Sequence, residues 1–424
     1  MKQKKYSNFK KYYNKLYDPK GLLSAWVCVQ RNAKQSESKT TLQKLKEYEK
    51  NLNKNLENIR QKLKSKTFVF KALGAPVEKK QKNKYRPVVS LDFDSRIVQR
   101  RILDVLQSNT NMKPFMEIKT SFGGIKNRGV KDAVSVIHKN IKENDFNFYL
   151  TTDIESFFTK IKIDSVIKEI SSFCKDKDFI DILEKSLKLE IENLSKIQKK
   201  HPELVEYYNY TSEGVPQGSC LSPLFGNIYL NKFDKKLNSF KDIICLRYLD
   251  DVIILGKEPE KVNRVFHKHA LPMLKKLGLN AYTPTTNPEK SSAGTTQKGF
   301  NYLGVNISNT AIRPDSKSLK KIKHSVHQLC LDSLNPNNNK NLFNILNLIS
   351  GKIKGWGNHY FFCNSEREFK NLDEYIDKQM AGFIKKYLTK IKSLKSDKEI
   401  RKLLGIHELA NCKHIPIIQK KKKN

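Results

Sequence analysis

A chain of 424 residues is long enough to bury a large core and to divide into two or three compact units. Its 81 Lys and Arg against 43 Asp and Glu leave a net charge of +38, which repels itself unless a polyanion neutralises it, so nucleic acid is the expected partner. The seven cysteines form no CxxC pair, no histidines stand at zinc-ligand spacing, and no apolar run is long enough for a signal peptide or a membrane span, which argues against structural zinc, export and a membrane partner and for a cytoplasmic protein.

Residues 1 to about 66 read as an N-terminal helical extension, because Leu42, Leu45, Tyr48, Leu52, Leu56, Ile59 and Leu63 recur at three- and four-residue spacing among charges. From 67 to 310 a mixed α/β body is expected. It opens with short β-branched and aromatic runs around Gly74, Pro76 and the basic stretch Glu78 to Arg86, which suggests a positively charged hairpin, and Phe93 to Leu106 returns to helix. A glycine-containing loop, Ser121 to Gly129, leads into a helix through Ile137, and Phe146 to Thr152 reads as a buried strand ending at Asp153. A charged, mostly helical segment from Ile163 to about Lys200 separates that strand from the turn Gly214-Val215-Pro216-Gln217-Gly218 and a helix to Leu237. The core of this body is placed at about 146–162 and 214–310. From 311 to 410 the pattern is helical, and 411–424 is a basic tail, with Lys420 to Lys423 adding nonspecific phosphate affinity.

Tyr248-Leu249-Asp250-Asp251 carries the chemistry. Two short apolar runs, Ile243 to Leu246 and Val252 to Leu255, flank it, which predicts a β-hairpin with two carboxylates at its tip. A solvated acidic turn is the bland alternative. Adjacent anions make sense if a divalent cation lies between them, and Asp153 supplies a third carboxylate from a separate strand. Two-metal nucleotidyl transfer needs that set, with ions about 4 Å apart serving the attacking hydroxyl and the leaving pyrophosphate. Asp153 and Asp250 are the expected bridging ligands and Asp251 a nearby ligand or electrostatic support. Ile154 is counted with them in the metal site.

In chain order, Lys84-Tyr85-Arg86-Pro87, Asp94 to Gln99, Ser121-Phe122-Gly123, the Asp153 strand, Gly214 to Ser219 with Leu221-Ser222-Pro223, Tyr248 to Asp251, Leu277 to Asn280 and Gly299 to Gly304 resemble the successive blocks of bacterial reverse transcriptases. The resemblance covers roughly residues 20 to 365. It implies an α+β right-hand polymerase, with fingers and an RRM-like antiparallel palm sheet followed by an α-helical thumb. It also implies two Mg²⁺ ions, with Mn²⁺ as a substitute. By the same resemblance, Lys84 and Arg86 grip the triphosphate of a dNTP, Gln217 lies near the incoming nucleotide, Phe158 excludes a ribose 2′-hydroxyl, and Lys290 can protonate departing pyrophosphate. Gly218 and Tyr248 lie against nucleic acid, and Phe300, Tyr302, Leu303 and Gly304 resemble a primer grip. Gly355 to Tyr360 resembles the thumb of group II intron-type enzymes, in which Trp356 lies along the duplex or packs the thumb core.

The chain lacks the retron asparagine-histidine motif and the cysteine pairs of a zinc-containing nuclease segment. On that pattern it most resembles stand-alone, defence-associated reverse transcriptases of group II-like descent. Such enzymes copy a neighbouring non-coding RNA into cDNA in anti-phage defence, and some form homo-oligomers. A group II intron maturase is the close alternative, and a catalytically idle RNA-binding protein the distant one.

Overall fold

The computed structural model describes residues 11–36, 38–78, 85–334, 341–394 and 396–406. Lys84, the Asn335–Lys340 stretch and the basic tail lie outside the described residues. The chain divides into two compact units, Met1–Thr295 and Thr296–Asn424, ahead of the change in sequence pattern near residue 310.

In the first unit a single helical turn, Lys11–Asn14, precedes α1 (Pro19–Lys34), α2 (Lys39–Lys50) and α3 (Leu52–Lys64). The single amphipathic pattern of the sequence is thus split at Asn51, whose φ of −117° and ψ of 24° leave the helical region, while the Tyr48 carbonyl accepts from Asn51 N and from the Asn55 side-chain amide, both at 3.2 Å. Leu45, Ile59 and Leu63 still form one buried face. Two antiparallel strand pairs follow, β1 (Ala72–Gly74) with β4 (Val89–Leu91) and β2 (Val77–Glu78) with β3 (Tyr85–Arg86), so the basic hairpin forms with Arg86 exposed on it. Helix α4 (Phe93–Gln107) starts at Asp92, which caps Ser95 N at 2.8 Å, and packs against α1.

The core is a five-stranded sheet ordered β5-β7-β8-β6-β9, with β5 at Ser121–Phe122, β6 at Phe148–Asp153, β7 at Ile243–Tyr248, β8 at Asp251–Gly256 and β9 at Ser291–Thr295. All neighbours are antiparallel except β5 and β7. Successive inner residues of β6 and β8 are buried whichever face they point to, which is why these strands read as continuous apolar runs. The second unit has a small antiparallel sheet, Phe300–Tyr302, Val305–Ile307 and Ile312–Pro314, followed by helices Ser316–Leu334, Leu342–Tyr360, Glu366–Lys392 and Asp397–Leu404 around their own apolar cluster. No helix among the described residues is long and apolar enough to cross a membrane.

Candidate active site

Strand register decides where the carboxylates fall. Tyr248 pairs with Asp251 across the β7–β8 hairpin, and Asp251 pairs with Asp153 on β6, so Asp153, Asp250 and Asp251 converge at one end of three adjacent strands. The two-residue turn is Leu249-Asp250. Leu249 takes a φ of +58°, unusual for a branched side chain, and the Asp250 carbonyl accepts from Ile154 N at 3.0 Å, which ties the turn to the end of β6.

The electrostatics are those of a site short of positive charge. Burial raises the Asp250 carboxyl, and the nearby Asp153 raises it further. Asp251 is pushed up to about 8 by burial, by its hydrogen bond to Asp153 and by the two neighbouring charges. The cation beside them is Lys290, whose Nζ lies 2.5 Å from Asp153 Oδ2 and is raised by that bond. Among the described residues no three His, Cys, Asp or Glu side chains form a ready metal cage. The donor set nevertheless fits a hard divalent cation. Carboxylates that retain a proton because they are buried and crowded by like charges would release it to a metal. Asp153, Asp250 and Asp251 would hold the ions.

Beneath the turn lies a group that the sequence reading missed. Arg247 is fully buried, and its fork donates to both oxygens of buried Asp234 at 2.8 and 2.5 Å, to Asn227 Oδ1 at 3.0 Å, to Ser121 Oγ at 3.0 Å and to the Leu249 carbonyl at 2.9 Å. Its signal was a charge at an inward position of an apolar strand, which only a buried partner permits.

An open cleft of about 820 Å³ joins these carboxylates to the strand pairs of the hairpin; Arg86, Phe158, Gln217, Gly218 and Lys290 all line it, with Ile154 at its floor. Gln217 is fixed through its backbone, since its carbonyl accepts from Val89 N at 2.7 Å. Gly218 must stay a glycine: its φ is +112°, and a Cβ there would come within 2.5 Å of the Val89 carbonyl oxygen. The following Ser219 donates to Gln99 at 2.7 Å, which makes Gln99 a buried brace for this turn.

The 163–210 segment buttresses the hairpin. Asn193 exchanges bonds of 2.8 and 2.9 Å with the Gly74 backbone, His201 lies against Tyr85 with ring centres 4.3 Å apart, and Tyr208 donates to the Val88 carbonyl at 3.1 Å. Phe157 is buried against the Gly226 backbone, so its neighbour Phe158 is left half-buried on the cleft. On the role that the resemblance implies for it, Phe158→Val should raise incorporation of rNTPs relative to dNTPs by about 10- to 100-fold in single-nucleotide extension. Unchanged sugar discrimination would remove Phe158 from that role.

Residues 77–307, more than half of the chain, match the family Reverse transcriptase (RNA-dependent DNA polymerase). The chain belongs to the reverse transcriptase family. It has the α+β right-hand fold of that family, and the matched segment lies mostly in the first unit. Residues 319–403 of this reverse transcriptase match a second family, Group II intron, maturase-specific domain. Similar curated proteins include an uncharacterised 91 kDa protein in a cob intron of Schizosaccharomyces pombe, 28% identical over 186 residues, which are 44% of this chain and 21% of that protein. The group II intron-encoded protein LtrA of Lactococcus lactis is 28% identical over 160 residues, 38% of this chain and 24% of its own length. The matched segments thus span about a quarter or less of these relatives. Among solved structures, apo telomerase from Candida tropicalis aligns with a TM-score of 0.41 at 14% identity, over 80% of this chain and 66% of that one.

The remaining nucleic-acid-binding candidates divide by burial. Tyr248 is half-buried, its ring close to the Gly123 backbone. In the second unit Phe300 and Tyr302 are buried, Asn301 between them is exposed, and the Leu303–Gly304 turn is partly exposed. Both turn residues have positive φ, and a Cβ on Gly304 would come within 3.0 Å of the Tyr360 hydroxyl. Trp356 packs on Tyr360 and Phe369 with ring centres 4.7 and 5.9 Å apart, the core role that the sequence reading held beside the duplex contact.

Proposed function

We propose that this reverse transcriptase copies an intron RNA into complementary DNA, using dNTPs and a primer 3′-hydroxyl. The observation that carries the catalytic half is the convergence of Asp153, Asp250 and Asp251 at adjacent strand ends, with Lys290 as the close counter-charge. Bound Mg²⁺, or Mn²⁺ in its place, would activate the hydroxyl and steady the pyrophosphate. The residues of the chain do the rest. Arg86 offers a guanidinium to phosphate oxygens that can only accept, Phe158 closes the sugar side, and Lys290, released from Asp153, stands ready to give a proton to the leaving group.

The intron half rests on the maturase-specific match of the thumb helices and on the similarity to LtrA. A dedicated non-coding RNA used in antiviral defence, the template that the pattern of missing motifs suggested, gains no support from either. The test is to sequence the RNA and DNA that co-purify with the wild type and with Asp250→Ala/Asp251→Ala expressed from the native locus. Intron RNA bound by both proteins, with its cDNA only in the wild type, is the expected result. A discrete RNA unrelated to any intron, again with wild-type cDNA, would replace the intron reading with the dedicated-template one.

A further inference from the structure

We infer that Tyr207, supplied by the 163–210 segment, forms part of the wall on which the incoming nucleotide lies. The inference rests on the polymerase reading of the cleft and adds to it a residue outside every block that resembles the family. Tyr207 is 41% exposed and lines the same cleft as Arg86, Phe158 and Gln217. Its neighbours behave differently. Tyr208 and Tyr210 are 2% and 4% exposed, so the chain here is anchored by two buried rings with a third turned outward.

The anchor is connected to the nucleotide-facing parts of the fingers. Tyr208 bonds the Val88 carbonyl at 3.1 Å, Ala75 N donates to that same carbonyl at 2.7 Å, and the next residue, Val89, donates to Gln217 at 2.7 Å. Tyr207 is therefore held on a firm support a few residues in space from both Arg86 and Gln217. Its hydroxyl takes no hydrogen bond among the described residues, so nothing in the fold explains the placement of the ring. An aromatic face fixed at the edge of a polar cleft offers a π-surface or a sugar-packing surface at little entropic cost, which suits a nucleoside. The charged end of the nucleotide falls to Arg86 and the sugar to Phe158, which leaves the base or outer sugar edge for Tyr207.

Steady-state extension of a primed RNA template, with dNTP varied, tests this in Tyr207→Ala and Tyr207→Phe, alongside the Kd for template–primer from fluorescence anisotropy without metal. Tyr207→Ala should raise KM for dNTP about tenfold with kcat within about twofold and template–primer Kd unchanged, and Tyr207→Phe should recover most of the loss, because the ring and not the hydroxyl makes the contact. A flat KM would overturn the inference. So would a template–primer Kd that rises in step with KM, which would assign the ring to the nucleic acid already bound, or a thermal midpoint well below wild type, which would make it a structural ring. These outcomes are separable from failure of the polymerase reading, in which the wild type itself would extend no primer.

Discussion

Asp250→Asn should abolish primer extension, lowering the rate on the order of a thousandfold or more, while making the metal-free protein more stable than wild type. Both effects come from the same crowding. Asp153, Asp250 and Asp251 share one strand end, and the close cation there is Lys290 on Asp153. Asp251 illustrates the sign. Its folded value of about 8 lies far above that of an unfolded Asp, so between about pH 4 and 8 the folded state holds a proton that the unfolded state has released. The stability of the metal-free fold then falls as pH rises through that window, and levels off above it. Removing one carboxylate relieves the fall, and relief of about 1 kcal/mol would appear as a rise of about 2–4 °C in thermal midpoint. Melting curves in EDTA from pH 5 to 9, for wild type, Asp250→Asn and Asp251→Asn, check this. Added Mg²⁺ should stabilise wild type and leave Asp250→Asn nearly unmoved. Synthesis by Asp250→Asn within tenfold of wild type would dismiss the metal assignment, and a template-binding protein without catalysis would show the stability effects but no synthesis in wild type.

The carboxylates were legible in the sequence because a hairpin makes its own register. Two apolar runs around a two-residue turn fix which side chains stand at the tip, and the period of two along each strand carries Asp153 to the same end. Phe157 reads as facing the core and is buried, while Phe158, in the same 3₁₀ turn with its ring centre 5.0 Å away, lines the cleft. Other features were hidden because they depend on contacts distant in sequence. The break at Asn51 leaves the apolar spacing intact, so periodicity alone joins α2 to α3. Phe300 and Tyr302 read as nucleic-acid contacts by motif, and the alternation of their short strand buries both while exposing Asn301 between them. The 163–210 segment shows only mixed charge along the chain. Its role as a brace appears through Asn193, His201 and Tyr208, each paired with a residue more than a hundred positions away in sequence.

Arg247→Met should be the most damaging substitution outside the carboxylates. It leaves Asp234 buried without its fork and frees the Leu249 carbonyl, a loss of about 3–5 kcal/mol for an ion pair broken from one side, or roughly 10 °C in thermal midpoint. Burial already raises the Asp234 carboxyl, with the guanidinium opposing it, so the variant carboxyl should take up a proton. Stability alone cannot show what Arg247 does for the turn. The double variant Arg247→Met/Asp234→Leu can, because replacing both members of a buried pair by apolar groups of similar volume restores most of the stability while the Leu249 carbonyl remains unheld. Leu249 sits at a φ of +58°, a conformation that a branched residue keeps only when its surroundings hold it, and Asp250 is the next residue. Displacing a reacting group by about 1 Å costs on the order of a hundredfold in rate, so the double variant should melt near wild type and still have kcat reduced by about that factor, with a higher Mg²⁺ requirement. Its metal-free affinity for template–primer should not change. Full kcat in the stable double variant would mean that Arg247 only balances the charge of Asp234, and that the turn is held by its ladder bonds to Phe122 and Ile154 alone.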